Sequence, residues 1–167
     1  MVKQKVKIDD FDLSKLPLLS CLSEQEMATV REQCDACLFD AGDTILERGE
    51  LDKSVYFMAH GCAHVLNYSS SGRAMTYATS AQGEMFGEMA AIDGLPRSAW
   101  VCAISHCKLI KIREEIFMGL VKNNSTFAIS VLRKLPNNLR ELDERLINIL
   151  SLGAEQRVCI EIMSMAQ

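Results

Sequence analysis

The sequence predicts a mainly β fold, an all-β barrel or double-sheet roll with flanking helices. Between residues 36 and 113 the chain consists of short apolar runs such as "VYFMAH", "HVLNY", "MTYAT" and "LIKI". Glycines separate these runs at regular spacing and mark turns: Gly42, Gly49, Gly61, Gly72, Gly83 and Gly94. Helical periodicity replaces this pattern on both sides. Regularly spaced short strands are typical of barrels and double-sheet rolls.

The composition is that of an ordinary globular protein. The chain has 167 residues, of which 49% are hydrophobic and 24% are charged, enough for one domain with its own core. It contains no run near the roughly 20 apolar residues of a spanning helix and no export signal, so we expect a cytoplasmic protein without membrane contact. The net charge of -4 provides no basic face, and these residues alone are not expected to bind DNA.

Helices are predicted before and after the strands. In residues 1–35, "LSEQEMATVREQC" carries the capping-box pair Ser23 and Glu26, and Met27, Val30 and Cys34 follow at helical spacing. Residues 114–152 are helical by periodicity, and Pro136 is expected to kink or restart a helix there.

The last predicted helix carries an apolar seam. Leu139, Leu142, Leu146 and Ile149 alternate at steps of three and four residues and are surrounded by charged side chains. This pattern predicts a parallel helix pair in a homodimer, formed near residues 137–152. Packing of the helix on its own barrel is the alternative.

The segment "FGEMAAIDGLPRSA" has the composition of a binding site for a small anion that carries hydroxyl groups. Gly87 allows the backbone to approach a ligand closely. The residues from Glu88 to Ile92 can form one helical turn whose free N–H groups face the anion. Pro96 stiffens the approach to Arg97, whose planar fork can bind two phosphate oxygens at once.

Glu88 requires a different role, because a phosphate would repel its carboxylate. A carboxylate accepts hydrogen bonds from hydroxyl groups, and acidic residues bind the ribose in dinucleotide sites. We therefore expect Glu88 to accept a hydrogen bond from a ribose 2′-OH and to orient Arg97. The alternative is a buried ion pair between Glu88 and Arg97 that only holds the loop, although such pairs stabilise proteins weakly.

This segment resembles the phosphate-binding cassette of cyclic-nucleotide-binding domains. The matching residues, in order and spacing, are Phe86, Gly87, Glu88, Pro96, Arg97, Ser98 and Ala99. "AGDTILERGE", "VYFMAHGCAHV" and the long terminal helix resemble the β-roll and dimer helix of bacterial Crp-Fnr transcription regulators. "RSAWV" is closest to the catabolite activator branch.

The resemblance implies a double-stranded β-helix, or jelly roll, over residues 36–113, with the cassette at 86–99. It also implies that cAMP is the ligand, with cGMP as the second candidate because Ser98 could serve a guanine. Arg97 and Ser98 would bind phosphate oxygens, and Glu88 the ribose. The helical side of this site is formed by Gly87, Glu88, Met89 and Ala90, and backbone amides near Ala90 and Ala99 would assist. Met89 is either a ligand contact or a core residue.

The base contacts depart from the family pattern. In the catabolite activator branch, hydroxyl residues on the dimer helix bind the base, and the alignment places Leu142 and Asp143 there. Asp143 is either an acceptor for an adenine amino group or a solvated charge on the helix.

Residues 153–167 resemble the linker and the start of a helix-turn-helix domain. This resemblance implies that the chain is a cAMP sensor whose ligand repositions the dimer helix. DNA contact would then require a helix-turn-helix domain that is absent from this chain. The chain is either a sensor domain from which that domain was removed or a protein that naturally lacks it. A regulatory domain of a kinase or channel is the alternative. The sequence contains no Ser-His-Asp or Cys-His arrangement with a supporting motif, so we expect no enzymatic activity.

A redox or metal sensor on the same fold is a further alternative. Cys21, Cys34 and Cys37 could contribute to an iron-sulfur cluster, but a second close pair of thiolates is missing. His60, Cys62 and His64 would face one side of a strand, although Gly61 predicts a turn between them. We therefore expect no metal, and we expect the seven cysteines to be reduced.

Overall fold

The computed structural model describes residues 4–6, 11, 13 and 16–151. Two predictions lie outside these residues or their described side chains: the linker at 153–167 and the place of Ile149 in the seam. The chain divides into two compact units, 1–131 and 132–167. Within the described part, every helix is too short or too polar to cross a membrane.

The described residues form nine strands and four helices. The strands are β1 (Gln4–Val6), β2 (Cys34–Phe39), β3 (Thr44–Leu46), β4 (Val55–His60), β5 (Ala63–Tyr68), β6 (Ala74–Ser80), β7 (Met85–Phe86), β8 (Trp100–Ala103) and β9 (Cys107–Ile112). The helices are α1 (Glu24–Gln33), α2 (Glu88–Asp93), α3 (Glu114–Asn123) and α4 (Ser125–Ser151).

The strands form two antiparallel sheets, which confirms the predicted double-sheet roll with flanking helices. One sheet has the order β1-β2-β9-β4-β7 and the other has the order β3-β8-β5-β6. Apart from the consecutive pairs β1-β2 and β5-β6, neighbours within each sheet are not consecutive in the sequence. Strand β5, for example, pairs with β8 through Val65↔Val101 and Leu66↔Trp100.

The five-stranded sheet is buried on both faces. On β4, Tyr56 and Met58 belong to a cluster shared with residues of the other sheet such as Val101. Val55 and Phe57 point to the opposite face and join a cluster that includes Phe117 of α3. Side chains that alternate between faces explain why the run "VYFM" is apolar at every position.

Helix α1 begins at the predicted cap. The Ser23 hydroxyl accepts a hydrogen bond from the Glu26 amide, and the Glu26 carboxylate accepts one from the Ser23 amide. The helix ends earlier than its periodicity predicted, because Cys34 begins β2 and pairs with Ile112. The N-terminal segment also supplies β1, which sequence analysis did not predict. Tertiary pairing overrides local helical periodicity at Cys34.

Helix α4 continues through Pro136 without a break. Its first turns pack on α3, where Phe127 and Phe117 make an edge-to-face contact with ring centroids 5.8 Å apart. Farther along the helix, the predicted seam residues Leu139, Leu142 and Leu146 are exposed.

Candidate functional site

Gly87 joins β7 to α2 and has a left-handed conformation with φ of 82°. A Cβ atom at this position would lie 2.7 Å from Nη1 of Arg97 and 3.2 Å from the carbonyl oxygen of Ser54. Both the backbone angle and the close contact therefore require glycine. Gly87 is the N-cap of α2 and provides no side-chain acceptor, so a ligand could accept hydrogen bonds from the first amides of the helix.

Arg97 is only 4% exposed and is held by three oxygen atoms. Its Nη1 donates to the carbonyl oxygen of Gly87 at 2.7 Å, and its Nη2 donates to that of Ser54 at 2.6 Å. The Nη2 atom also lies 3.4 Å from Oδ2 of Asp52. The Nε atom is buried and has no hydrogen-bond partner among the described residues. The guanidinium group is thus held in place, and its Nε donor is unused.

Asp52 links this arginine to the five-stranded sheet. Its carboxylate accepts hydrogen bonds from the amide and hydroxyl of Ser54, and its Oδ2 lies 3.2 Å from Nζ of Lys111 on β9. Burial raises the pKa of Asp52, but the Ser54 hydrogen bonds and the Lys111 charge outweigh burial and hold that pKa below its usual value. Asp52 is therefore shared between two cations at neutral pH.

Glu88 is 5% exposed, and its carboxylate makes no hydrogen bond or ion pair with any residue that the structure describes. The alternative of a Glu88–Arg97 ion pair is wrong, because Arg97 bonds to Gly87, Ser54 and Asp52 instead. The expectation that Glu88 orients Arg97 fails for the same reason. Neither Glu88 oxygen is among the fully buried polar atoms that lack a partner, so the carboxylate can accept a hydrogen bond from a hydroxyl group that reaches it.

The remaining cassette residues lie close together in the first unit. Ala90 is buried, whereas Met89 is 51% exposed and is therefore not a core residue. The exposed Ser98 hydroxyl lies 3.8 Å from the Met89 sulfur, and Ala99 is half-buried. Leu142 and Asp143 are exposed on α4 in the second unit, and their contact with a base stays a prediction.

Sequence analysis missed three residues that surround the cassette. Asp52 and Ser54 bond to Arg97 across more than forty positions of the chain. Asn67 on β5 donates from Nδ2 to the carbonyl oxygen of Ser98 at 3.3 Å. The one available signal was Asn67 itself, a polar residue within the apolar run "HVLNY".

The candidate metal ligands are separated by the fold. His60 ends β4, Gly61 turns with φ of 90°, and His64 lies within β5, where its ring bonds to Thr79. Across residues 16–151, the structure brings together no group of three or more His, Cys, Asp or Glu side chains suited to a metal ion. A cleft of about 630 Å³ between α2 and α3 contains none of the predicted site residues, and its charged lining is mainly acidic.

Comparisons with known proteins agree with this geometry. The family described as "Cyclic nucleotide-binding domain" matches residues 37–124. The cAMP-dependent protein kinase regulatory subunit of Aspergillus fumigatus is 30% identical over 71% of this chain and 28% of its own length. The cyclic AMP receptor protein of Thermus thermophilus is 26% identical over 89% of this chain and 69% of its own length.

Solved structures show the same fold. The catabolite activator protein of Thermus thermophilus superposes with a TM-score of 0.67 at 28% identity, covering 81% of this chain and 63% of that chain. The sensor domain of the transcriptional regulator DNR from Pseudomonas aeruginosa gives a TM-score of 0.67 at 20% identity, covering 84% of this chain and 93% of that chain. The chain thus spans 28% of the kinase subunit and 63% of the activator structure.

Proposed function

The chain belongs to the cyclic nucleotide-binding domain family, and on that premise we propose that it binds cAMP through the cassette at residues 86–99. The second candidate ligand is cGMP, because the exposed Ser98 hydroxyl could serve a guanine. The observation that carries the proposal is the buried Arg97, whose Nε donor is unused, beside a left-handed glycine. A cyclic phosphate offers the acceptor that this donor lacks.

The charges around Arg97 favour an anionic ligand. Its nearest carboxylate, Asp52, lies at 3.4 Å, is 43% exposed and also faces Lys111 at 3.2 Å. Two cations, Arg97 and Lys111, thus share the Asp52 carboxylate. Since a buried charge is costly without compensation, a phosphate at Arg97 would be stabilised by charge-assisted hydrogen bonds.

Glu88 supports a ligand that carries hydroxyl groups. A buried carboxylate can only accept hydrogen bonds, and a ribose 2′-OH would supply the donor that Glu88 lacks in the described residues. A free inorganic phosphate could donate to Glu88 only by bringing its own negative charge next to the carboxylate. A phosphate joined to a ribose, as in a cyclic nucleotide, satisfies both residues at once.

The test is isothermal titration of the purified chain with cAMP and, in parallel, with cGMP and inorganic phosphate. We expect saturable binding of cAMP with a dissociation constant in the micromolar range and no measurable binding of inorganic phosphate. Heat of binding with cGMP but not with cAMP would identify cGMP as the ligand of the cassette. Absence of binding by both nucleotides would contradict the proposal.

We further infer that the chain is the sensory module of a Crp-Fnr type transcription regulator and that it forms a homodimer through the helix near residues 137–152. Exposed Leu139, Leu142 and Leu146 on α4 support the dimer, since an apolar seam in water favours a partner helix. Ligand binding would act on DNA only by favouring one dimer arrangement over another. Because a kinase regulatory subunit is among the similar proteins, a regulatory domain of a kinase is the alternative.

Leu142→Lys is expected to convert the dimer to a monomer, because a charge inside an apolar seam must be desolvated when the helices pair. Light scattering on the purified variant measures this directly. Glu141→Lys, at an exposed neighbouring position outside the seam, is the matched control and should remain dimeric. A dimeric Leu142→Lys variant would refute the seam.

A further inference from the structure

Asn67 is the last of three residues on β5 whose side chains face the inside of the roll. Side chains two residues apart on a strand share a face, so Ala63, Val65 and Asn67 form one row. Ala63 is fully buried in the cluster between the sheets, and Val65 packs against the same cluster. Asn67 is 8% exposed, and its amide is the polar member of an otherwise apolar row. Polar groups are buried at a cost unless something bonds to them.

One half of the Asn67 amide lacks a partner. Its Nδ2 donates to the carbonyl oxygen of Ser98 at 3.3 Å, whereas its Oδ1 is buried and has no hydrogen-bond partner among the described residues. The reverse orientation of the amide would place two oxygen acceptors, Oδ1 and the Ser98 carbonyl, against each other. The contact with Ser98 therefore sets the orientation and leaves the acceptor unused.

The position of this acceptor restricts what can bond to it. Ser98 directly follows Arg97, so Oδ1 belongs to the surroundings of the proposed phosphate site. An acceptor repels phosphate oxygens, and only an N–H or O–H donor can bond to it. A cyclic nucleotide carries such donors on its ribose and on its base. In the proposed function Glu88 accepts the ribose hydroxyl, which leaves the base.

We propose that Asn67 selects the nucleotide by accepting a hydrogen bond from an amino group on its purine base. The inference rests on the proposed function, because it requires a cyclic nucleotide in the cassette. Its chemistry is shared by two sources, the 6-amino group of adenine and the 2-amino group of guanine. Asn67 would then act on specificity, while Arg97 supplies affinity for any cyclic nucleotide.

Matched ligand pairs distinguish the two sources. Purine riboside 3′,5′-cyclic monophosphate differs from cAMP only by loss of the 6-amino group, and cIMP differs from cGMP only by loss of the 2-amino group. For each pair the measured quantity is the ratio of the two dissociation constants. We expect one ratio to be about three- to tenfold in the unmodified chain, as for the loss of one hydrogen bond to an uncharged group.

The variant Asn67→Leu removes the acceptor and retains a similar volume, and we expect it to bring that ratio close to one. Asn67→Ala serves the same purpose if the leucine variant does not fold. Thr79→Val, at an exposed position on β6 in the same sheet, is the control and should leave both ratios unchanged. A role confined to joining β5 to Ser98 would weaken all four ligands equally and leave both ratios as they were.

The outcomes separate this inference from the proposed function. If the nucleotides bind but neither ratio departs from one, or if both ratios persist in Asn67→Leu, the Asn67 inference is overturned and the proposed function stands. If none of the four nucleotides binds to the unmodified chain, both are overturned. A ratio that disappears only in the Asn67 variants supports the inference and identifies the amino group concerned.

Discussion

Arg97→Ala is expected to weaken cAMP binding by about 2–4 kcal/mol, or about 30- to 1,000-fold in the dissociation constant. The reason is the loss of a charge-assisted partner for the phosphate in a buried setting. Arg97 is nearly inaccessible to solvent, so water cannot replace its guanidinium without cost. Isothermal titration of the variant against the unmodified chain measures the effect.

Two further variants test whether the loss of affinity comes from the Arg97 side chain itself. Arg97→Lys retains the charge but has no counterpart of the Nε donor, so we expect intermediate affinity. Arg113→Ala removes an exposed arginine outside the cassette and should bind cAMP normally. Because Arg97→Ala also leaves the carbonyl oxygens of Gly87 and Ser54 without their donor, a thermal melt must show that the variant is folded. Unchanged affinity in a folded Arg97→Ala variant would contradict the cassette assignment.

Gly87→Ala is expected to lower the free energy of unfolding by about 1.5–3.5 kcal/mol and to weaken nucleotide binding as well. A left-handed backbone costs a non-glycine residue about 1–2 kcal/mol. The added methyl group would also lie 2.7 Å from Nη1 of Arg97, which is held by two short hydrogen bonds and cannot move freely. Displacing that side chain adds roughly 0.5–1.5 kcal/mol of strain.

Gly72→Ala is the matched control for the backbone contribution. Gly72 has φ of 79°, close to that of Gly87, but a Cβ atom there would meet no other atom within 4 Å. Chemical denaturation should therefore show a loss of about 1–2 kcal/mol for Gly72→Ala, and titration should show unchanged nucleotide binding. Equal losses of stability and affinity in the two variants would mean that the contact between Gly87 and Arg97 has no energetic effect.

Much of the fold could be predicted because its signals are local. Gly61 and Gly72 both mark turns between strands, and each has the positive φ that only glycine adopts readily. The capping pair Ser23 and Glu26 begins α1 as predicted, since its two hydrogen bonds join residues three positions apart. The prediction failed at Cys34, where pairing with Ile112 ends the helix that local periodicity would extend.

The sequence by itself determined the roll and its turns, and it predicted the cassette from Gly87 to Ala99, because glycine positions, short apolar runs and the Pro96–Arg97 pair act over a few neighbouring residues. Only the tertiary structure decided what surrounds Arg97. Asp52 and Ser54 reach it across 45 and 43 positions, and Asn67 reaches Ser98 across 31. Hydrogen bonds between strands that are neighbours only in the sheets leave no periodic signal in the chain. The same tertiary contacts give Arg97 its partners Gly87, Ser54 and Asp52, and Glu88 is not one of them.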